Sequence, residues 1–134
     1  MRIFDCFLFN DENLILELRL NELDRYVDFF VIIEFKYNHQ NKFKGQKIDY
    51  KILEKFKNKI KYFYIEKKFK NASSWEIENE QRNNIALGLI NSKKDDIIIV
   101  SDVDEIPKLK NINFDKIGNE IICFNQIHFM YKLN

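Results

Sequence analysis

Residues 96–107 read DIIIVSDVDEIP, an apolar run that ends in three acids within four positions: Asp102, Asp104 and Glu105. In extended backbone, side chains two apart point the same way, so Asp102 and Asp104 are expected to face one point. Two carboxylates at one point repel unless a cation lies between them or one is protonated. A hard divalent ion, Mn²⁺ or Mg²⁺, suits such donors. It commonly takes one or two carboxylates and fills its shell with phosphate oxygens and water. The expected chemistry is therefore a diphosphate held through a metal, with Val103 anchoring the turn and Pro107 fixing the exit. An isolated Asp-x-Asp arises readily by chance in a charged chain. This one follows a strongly apolar strand, comes late in the chain, and carries Glu105 where a surface turn more often has Gly or Asn.

Carboxylates converge only if a scaffold positions them. IFDCFLF (3–9) reads as a strand, and the NDEN that follows is expected to cap a helix over 12–26. Leu16, Leu20 and Leu23, with Leu14 and Leu18 nearby, give that helix a broad apolar face. DFFVIIEF (28–35) reads as a buried strand, residues 49–59 as a shorter amphipathic helix, and 60–66 as the next strand. Residues 73–92 open with a capping box, with Ser74 to Ile77 as first turn, and continue as a helix. Residues 95–102 read as a buried strand, and 120–134 as one or two more. Alternation of this kind predicts an α/β domain with a parallel sheet and helices on both faces. Ligands collect beyond the carboxyl ends of the strands in such sheets. Glu34 and Asp102 each close a strand, so both acids are expected on that side.

The chain has 134 residues, the size of one domain, and a net charge of +1 that gives no argument for nucleic acid. Residues 42–70 hold eleven Lys against Asp49, Glu54 and Glu66. A solvated helix face beside a strand is the expected meaning, and a surface for phosphates or peripheral contact with anionic lipid is the alternative. Cys6 and Cys123 sit in apolar surroundings and read as reduced core thiols, not a disulfide or metal site. The N-terminus meets acids too early for a signal peptide, and no run approaches a membrane span. A cytoplasmic protein is the expectation.

Four segments in order, DCFLFNDENLILELRLNEL with VDFFVIIE, then WEIENEQRNNIALGL, DDIIIVSDVDEIP and FMYKLN, make the chain resemble glycosyltransferase family 17, the β-1,4-N-acetylglucosaminyltransferase family, in its bacterial form. The resemblance spans nearly the whole chain. It implies a GT-A-like (Rossmann-like) nucleotide-sugar-binding sheet, inverting transfer, and UDP-GlcNAc as donor to a glycan acceptor it does not identify. By the same resemblance Asp102 and Asp104 hold the metal on the UDP diphosphate, Glu34 ends the strand that begins the nucleotide site, and Arg82 lies on a helix near the donor. A salt bridge is the alternative for Arg82. Trp75 reads as a core anchor at a helix start, with sugar stacking as the alternative. His39 stands in a loop where relatives often read Thr-His-x-Gly, and Asn41 replaces that Gly. Relatives continue past residue 134, so the acceptor-binding part and the general base are expected to be missing. Glu105 is the candidate for a catalytic base. The apolar C-terminal segment, with nothing to cover it, is expected to make a homo-oligomer.

Two other readings fit the same acids. A haloacid-dehalogenase-type phosphatase also ends a strand in Asp-x-Asp, but usually its first strand. A nucleotide-sugar-binding remnant without turnover fits a chain that stops early.

Overall fold

A computed structural model describes residues 1–118 and 120–126. Four parallel strands, β1 (Ile3–Phe9), β2 (Phe29–Phe35), β3 (Ile60–Ile65) and β4 (Ile97–Val100), stand in the order β3-β2-β1-β4. The connections carry α1 (Asn13–Leu23), α2 (Tyr50–Lys55) and α3 (Ser74–Asn83), the last running on as a 3₁₀ stretch, Asn84–Leu89. The expected α/β, Rossmann-like sheet is present. β1 pairs with β2 on one side and β4 on the other, so the strand order reverses at β1, where such sheets open a ligand crevice.

Strand periodicity divides the core. Phe7, Phe9, Phe30 and Ile32 meet Leu16, Leu20 and Leu23 of α1 and Leu53 of α2. Phe4, Cys6, Val31 and Ile33 meet Ile77 and Ile85 of α3 and its extension. Helices therefore cover both faces. Asp5, by the same period of two, lies on the α1 side.

Several expectations are corrected in detail. Leu14 and Leu18 are exposed, and the buried stripe of α1 is Leu16, Arg19, Leu20 and Leu23. NDEN does not cap α1. Instead the Glu12 carboxylate accepts the Asn10 and Asp11 N–H groups at 3.1 and 2.9 Å and closes the loop on itself. Ser73 and Glu76 do form a capping box at α3, but Trp75 in that turn is exposed and anchors no core. β4 is not a buried strand. It lies at the sheet edge among the described residues, with Ile99 buried and Ile98 and Val100 exposed. Residues 120–126 carry no regular structure, against the strand expected there, and the rest of that segment lies outside the described residues. Four of the eleven Lys in the Lys-rich stretch are ion-paired: Lys44 with Glu34, Lys57 with Glu54, Lys59 with Asp24 and Lys67 with Glu80.

Gly88 shows how closely the 3₁₀ stretch after α3 packs on the sheet. A Cβ there would lie 2.2 Å from Val31 Cγ1, so the 3₁₀ backbone sits directly on β2. Gly88→Ala is expected to destabilise the chain by about 1–3 kcal/mol through overpacking, read as a lower urea midpoint at unchanged slope.

The two cysteines differ. Cys6 is buried, and desolvation pushes its thiol up to about 12. Cys123 is exposed, so it is no core thiol. A thiol reagent at neutral pH is expected to titrate one group per native chain and two after denaturation, since the thiolate is the reactive species. Two fast groups in the native chain would contradict the burial of Cys6.

Candidate functional site

The cleft to consider lies at the carboxyl ends of β1 and β2. It has a volume of about 250 Å³ and an apolar floor of Leu8, Ile33 and Phe35. Its rim carries Tyr37, His39, Lys44, Arg82 and Asp102. Three chain segments thus converge there: the loop after β2, α3, and the turn after β4.

That last turn is where sequence and structure part most usefully. Residues 102–105 are not extended. The Glu105 N–H donates to the Asp102 carbonyl at 3.0 Å, closing a tight turn over Val103 and Asp104. Asp102 therefore opens a turn that contains Asp104, and the two do not share one face of a strand. Val103 is buried, as is Pro107, so the two anchoring expectations hold. The Glu105 carboxylate folds back to accept the Asp102 N–H at 3.0 Å and so stabilises the turn.

Asp102 is exposed at the cleft rim and pairs with Arg82 at 2.9 Å. Arg82 also reaches Glu78 one turn earlier on α3, at 3.2 Å. Partial burial raises the Asp102 carboxyl, Arg82 opposes that, and the charges of Glu105, Asp104 and Glu78 add to it. Arg82 thus bridges two carboxylates, with Asp104 and Glu105 close by on the turn. Such a donor set favours a further cation with hard oxygen preference. Among the described residues no group of three or more His, Cys, Asp or Glu side chains gathers around one point. Only an ion that takes one or two protein carboxylates and draws its other ligands from outside the chain would fit these residues.

Glu34 lies at the end of β2, fully buried. Its carboxylate accepts from Lys44 Nζ at 3.0 Å, from the Lys47 N–H, and from the Tyr62 hydroxyl at 2.7 Å. Burial pushes the Tyr62 phenol up, and the bond to Glu34 acts in the same direction. Glu34 thereby fixes Lys44 at the rim. His39 stands exposed on the rim in the loop before it. Asn41 adopts φ 61°, a left-handed conformation that Gly enters freely and Asn tolerates. Its carboxamide oxygen accepts the Phe69 N–H at 3.2 Å, so the residue supplies the Gly-like bend and ties the loop to the chain beyond β3.

The sequence reading passed over Asp5 and Arg19. Both are fully buried, joined by a two-pronged ion pair at 2.8 and 2.7 Å. The signal was present: an acid inside an apolar strand, and an arginine at i+3 in the Leu16–Leu20–Leu23 stripe. Opposite charges at two core-facing positions of adjacent elements imply a pair, because neither charge is tolerable in the core alone.

The family model described as Glycosyltransferase family 17 matches residues 1–134. No curated protein and no solved structure matches the chain.

Proposed function

Because the chain belongs to glycosyltransferase family 17 and is thus a glycosyltransferase, we propose that the cleft beside Asp102 is the donor site of a metal-dependent, inverting transferase on a GT-A-like sheet. N-acetylglucosamine from UDP-GlcNAc is the sugar we assign to it. The observation that carries the reading is Asp102 itself, exposed at the rim of a 250 Å³ cleft, at the strand-order reversal where α/β sheets bind nucleotides.

In this reading Asp102, with Asp104 beside it on the turn, would hold Mn²⁺ or Mg²⁺. The ion, when bound, offsets the charge that develops on the departing UDP. Arg82 neutralises Asp102 until then. With that carboxylate on the ion, Arg82 would be released to pair with a diphosphate oxygen. Lys44, fixed by Glu34, adds a second cation at the rim, and Glu34 thus serves the donor indirectly. The apolar floor excludes water beneath the nucleotide. Glu105 is committed to the turn, which argues against it as the base that deprotonates the acceptor hydroxyl.

Calorimetry of UDP with Mn²⁺ and with excess chelator tests the reading. UDP is expected to bind tightly with Mn²⁺ and weakly without it. Equal affinity in both conditions would exclude a metal-bridged diphosphate. Radiolabelled UDP-GlcNAc then separates transfer or hydrolysis from binding alone.

A further inference from the structure

We propose that Arg19, clamped by Asp5, is the positioning residue for the Asp102–Glu105 turn, so that metal–diphosphate binding at the rim depends on a guanidinium sealed in the core. The proposal rests on the donor-site reading above and extends it to a residue that never meets the donor.

Arg19 is fully buried on α1. Nε and Nη2 donate to the two oxygens of Asp5 at 2.8 and 2.7 Å. Nη2 also donates to Ser101 Oγ at 2.7 Å. Nη1 donates to the carbonyls of Asp102, Val103 and Glu105 at 2.7, 3.2 and 3.1 Å. Ser101 Oγ in turn donates to the Glu105 carbonyl at 3.0 Å. A guanidinium has five N–H donors in a rigid plane, and here every nitrogen is engaged. Three carbonyls of one four-residue turn point inward at a single cation. With its carbonyls held inward and Val103 buried, the turn leaves Asp102, Asp104 and Glu105 exposed.

A purely stabilising role explains this less well. A buried ion pair is commonly no better for stability than an apolar pair of similar size. An apolar pair, however, offers nothing to three carbonyls. Asp5 lies on β1 and Arg19 on α1, so the clamp also ties the turn to the strand whose end forms the cleft floor. Groups behind a ligand-bearing residue typically change metal affinity by about 10–100-fold when removed.

The test is the full chain carrying Asp5→Leu and Arg19→Met together, which removes both buried charges and keeps apolar bulk. Two readouts are taken: UDP affinity by calorimetry with Mn²⁺ and with chelator, and hydrogen exchange at the Glu105 amide, which the turn protects. The expected result is UDP affinity roughly 10–100-fold weaker in Mn²⁺, unchanged in chelator, with faster exchange at Glu105. A double variant with wild-type affinity in Mn²⁺ and wild-type exchange overturns the proposal and leaves the donor reading standing. A wild-type chain whose UDP affinity ignores Mn²⁺ overturns the donor reading and this proposal with it. Should the double variant fail to fold, Arg19→Lys decides: it keeps the charge opposite Asp5 but lacks the planar fork. Weakened Mn²⁺-dependent binding supports positioning, and undiminished binding refutes it.

Discussion

Arg19→Met alone is expected to cost the fold about 3–5 kcal/mol, the usual penalty for stripping one partner from a buried ion pair. For a chain of this length that lowers the melting temperature on the order of 10–20 °C. The loss has two sources: the Asp5 carboxylate stays in the core without its cation, and three carbonyls of the 102–105 turn lose their donor. Adding Asp5→Leu removes the stranded charge, so the double variant is expected to regain most of the lost stability. A thermal melt of the three chains reads this directly. A double variant as unstable as Arg19→Met would mean that the damage lies in the unclamped turn and not in the buried charge.

The second large effect is on binding. Asp102→Asn is expected to weaken UDP at least about 100-fold in Mn²⁺, beyond the range typical for groups behind a metal ligand, and to leave UDP affinity in chelator unchanged. Its melting temperature should barely move, because the side chain is exposed and its ion pair with Arg82 is a surface contact of small net worth. Asp104→Asn is expected to follow the same pattern, removing most of the metal dependence without harm to the fold, since Asp104 too is exposed at the turn. Loss of binding accompanied by a large fall in melting temperature would instead assign these acids a structural role. The pH response has a definite sign. Partial burial and neighbouring carboxylates raise the Asp102 carboxyl, so protonation competes with the cation at milder acidity than for an ordinary aspartate. Mn²⁺-dependent affinity should therefore fall on acidification from above the usual carboxylate range.

The strands were legible because each is a short apolar run between polar breaks. Residues 3–9 read as a strand and form one without adjustment. α1 was legible as a helix but not in its face, since Leu14 and Leu18 look like core and Arg19 looks like surface. What reverses them is tertiary: Arg19 has Asp5 to meet, and the face of Leu14 and Leu18 meets solvent. The placement of Asp102 at the strand ends followed from the β/α alternation. Its local geometry did not, because the tight turn over Val103 and Asp104 depends on a guanidinium supplied from 83 and 84 residues away in sequence, and period-two reasoning applies only to extended chain. Asn41 was legible as a departure from Gly, but its tolerance of a left-handed φ was the decisive property. Oligomerisation through the C-terminal segment invoked Phe124, which is exposed, together with Ile127, Phe129, Tyr131 and Leu133, which lie outside the described residues.

The claim on which all of this turns is that a metal-bridged diphosphate sits between the end of β1 and the turn after β4. Paramagnetic broadening of backbone amide resonances by substoichiometric Mn²⁺, with UDP present, locates the ion in the intact chain. The account predicts that the amides of residues 101–105 broaden first, followed by those of Leu8, Phe9 and Asn10, and that Asp102→Asn abolishes the effect. Broadening centred on the Lys-rich stretch or the β4 edge, or broadening at residues 101–105 that survives Asp102→Asn, would contradict it.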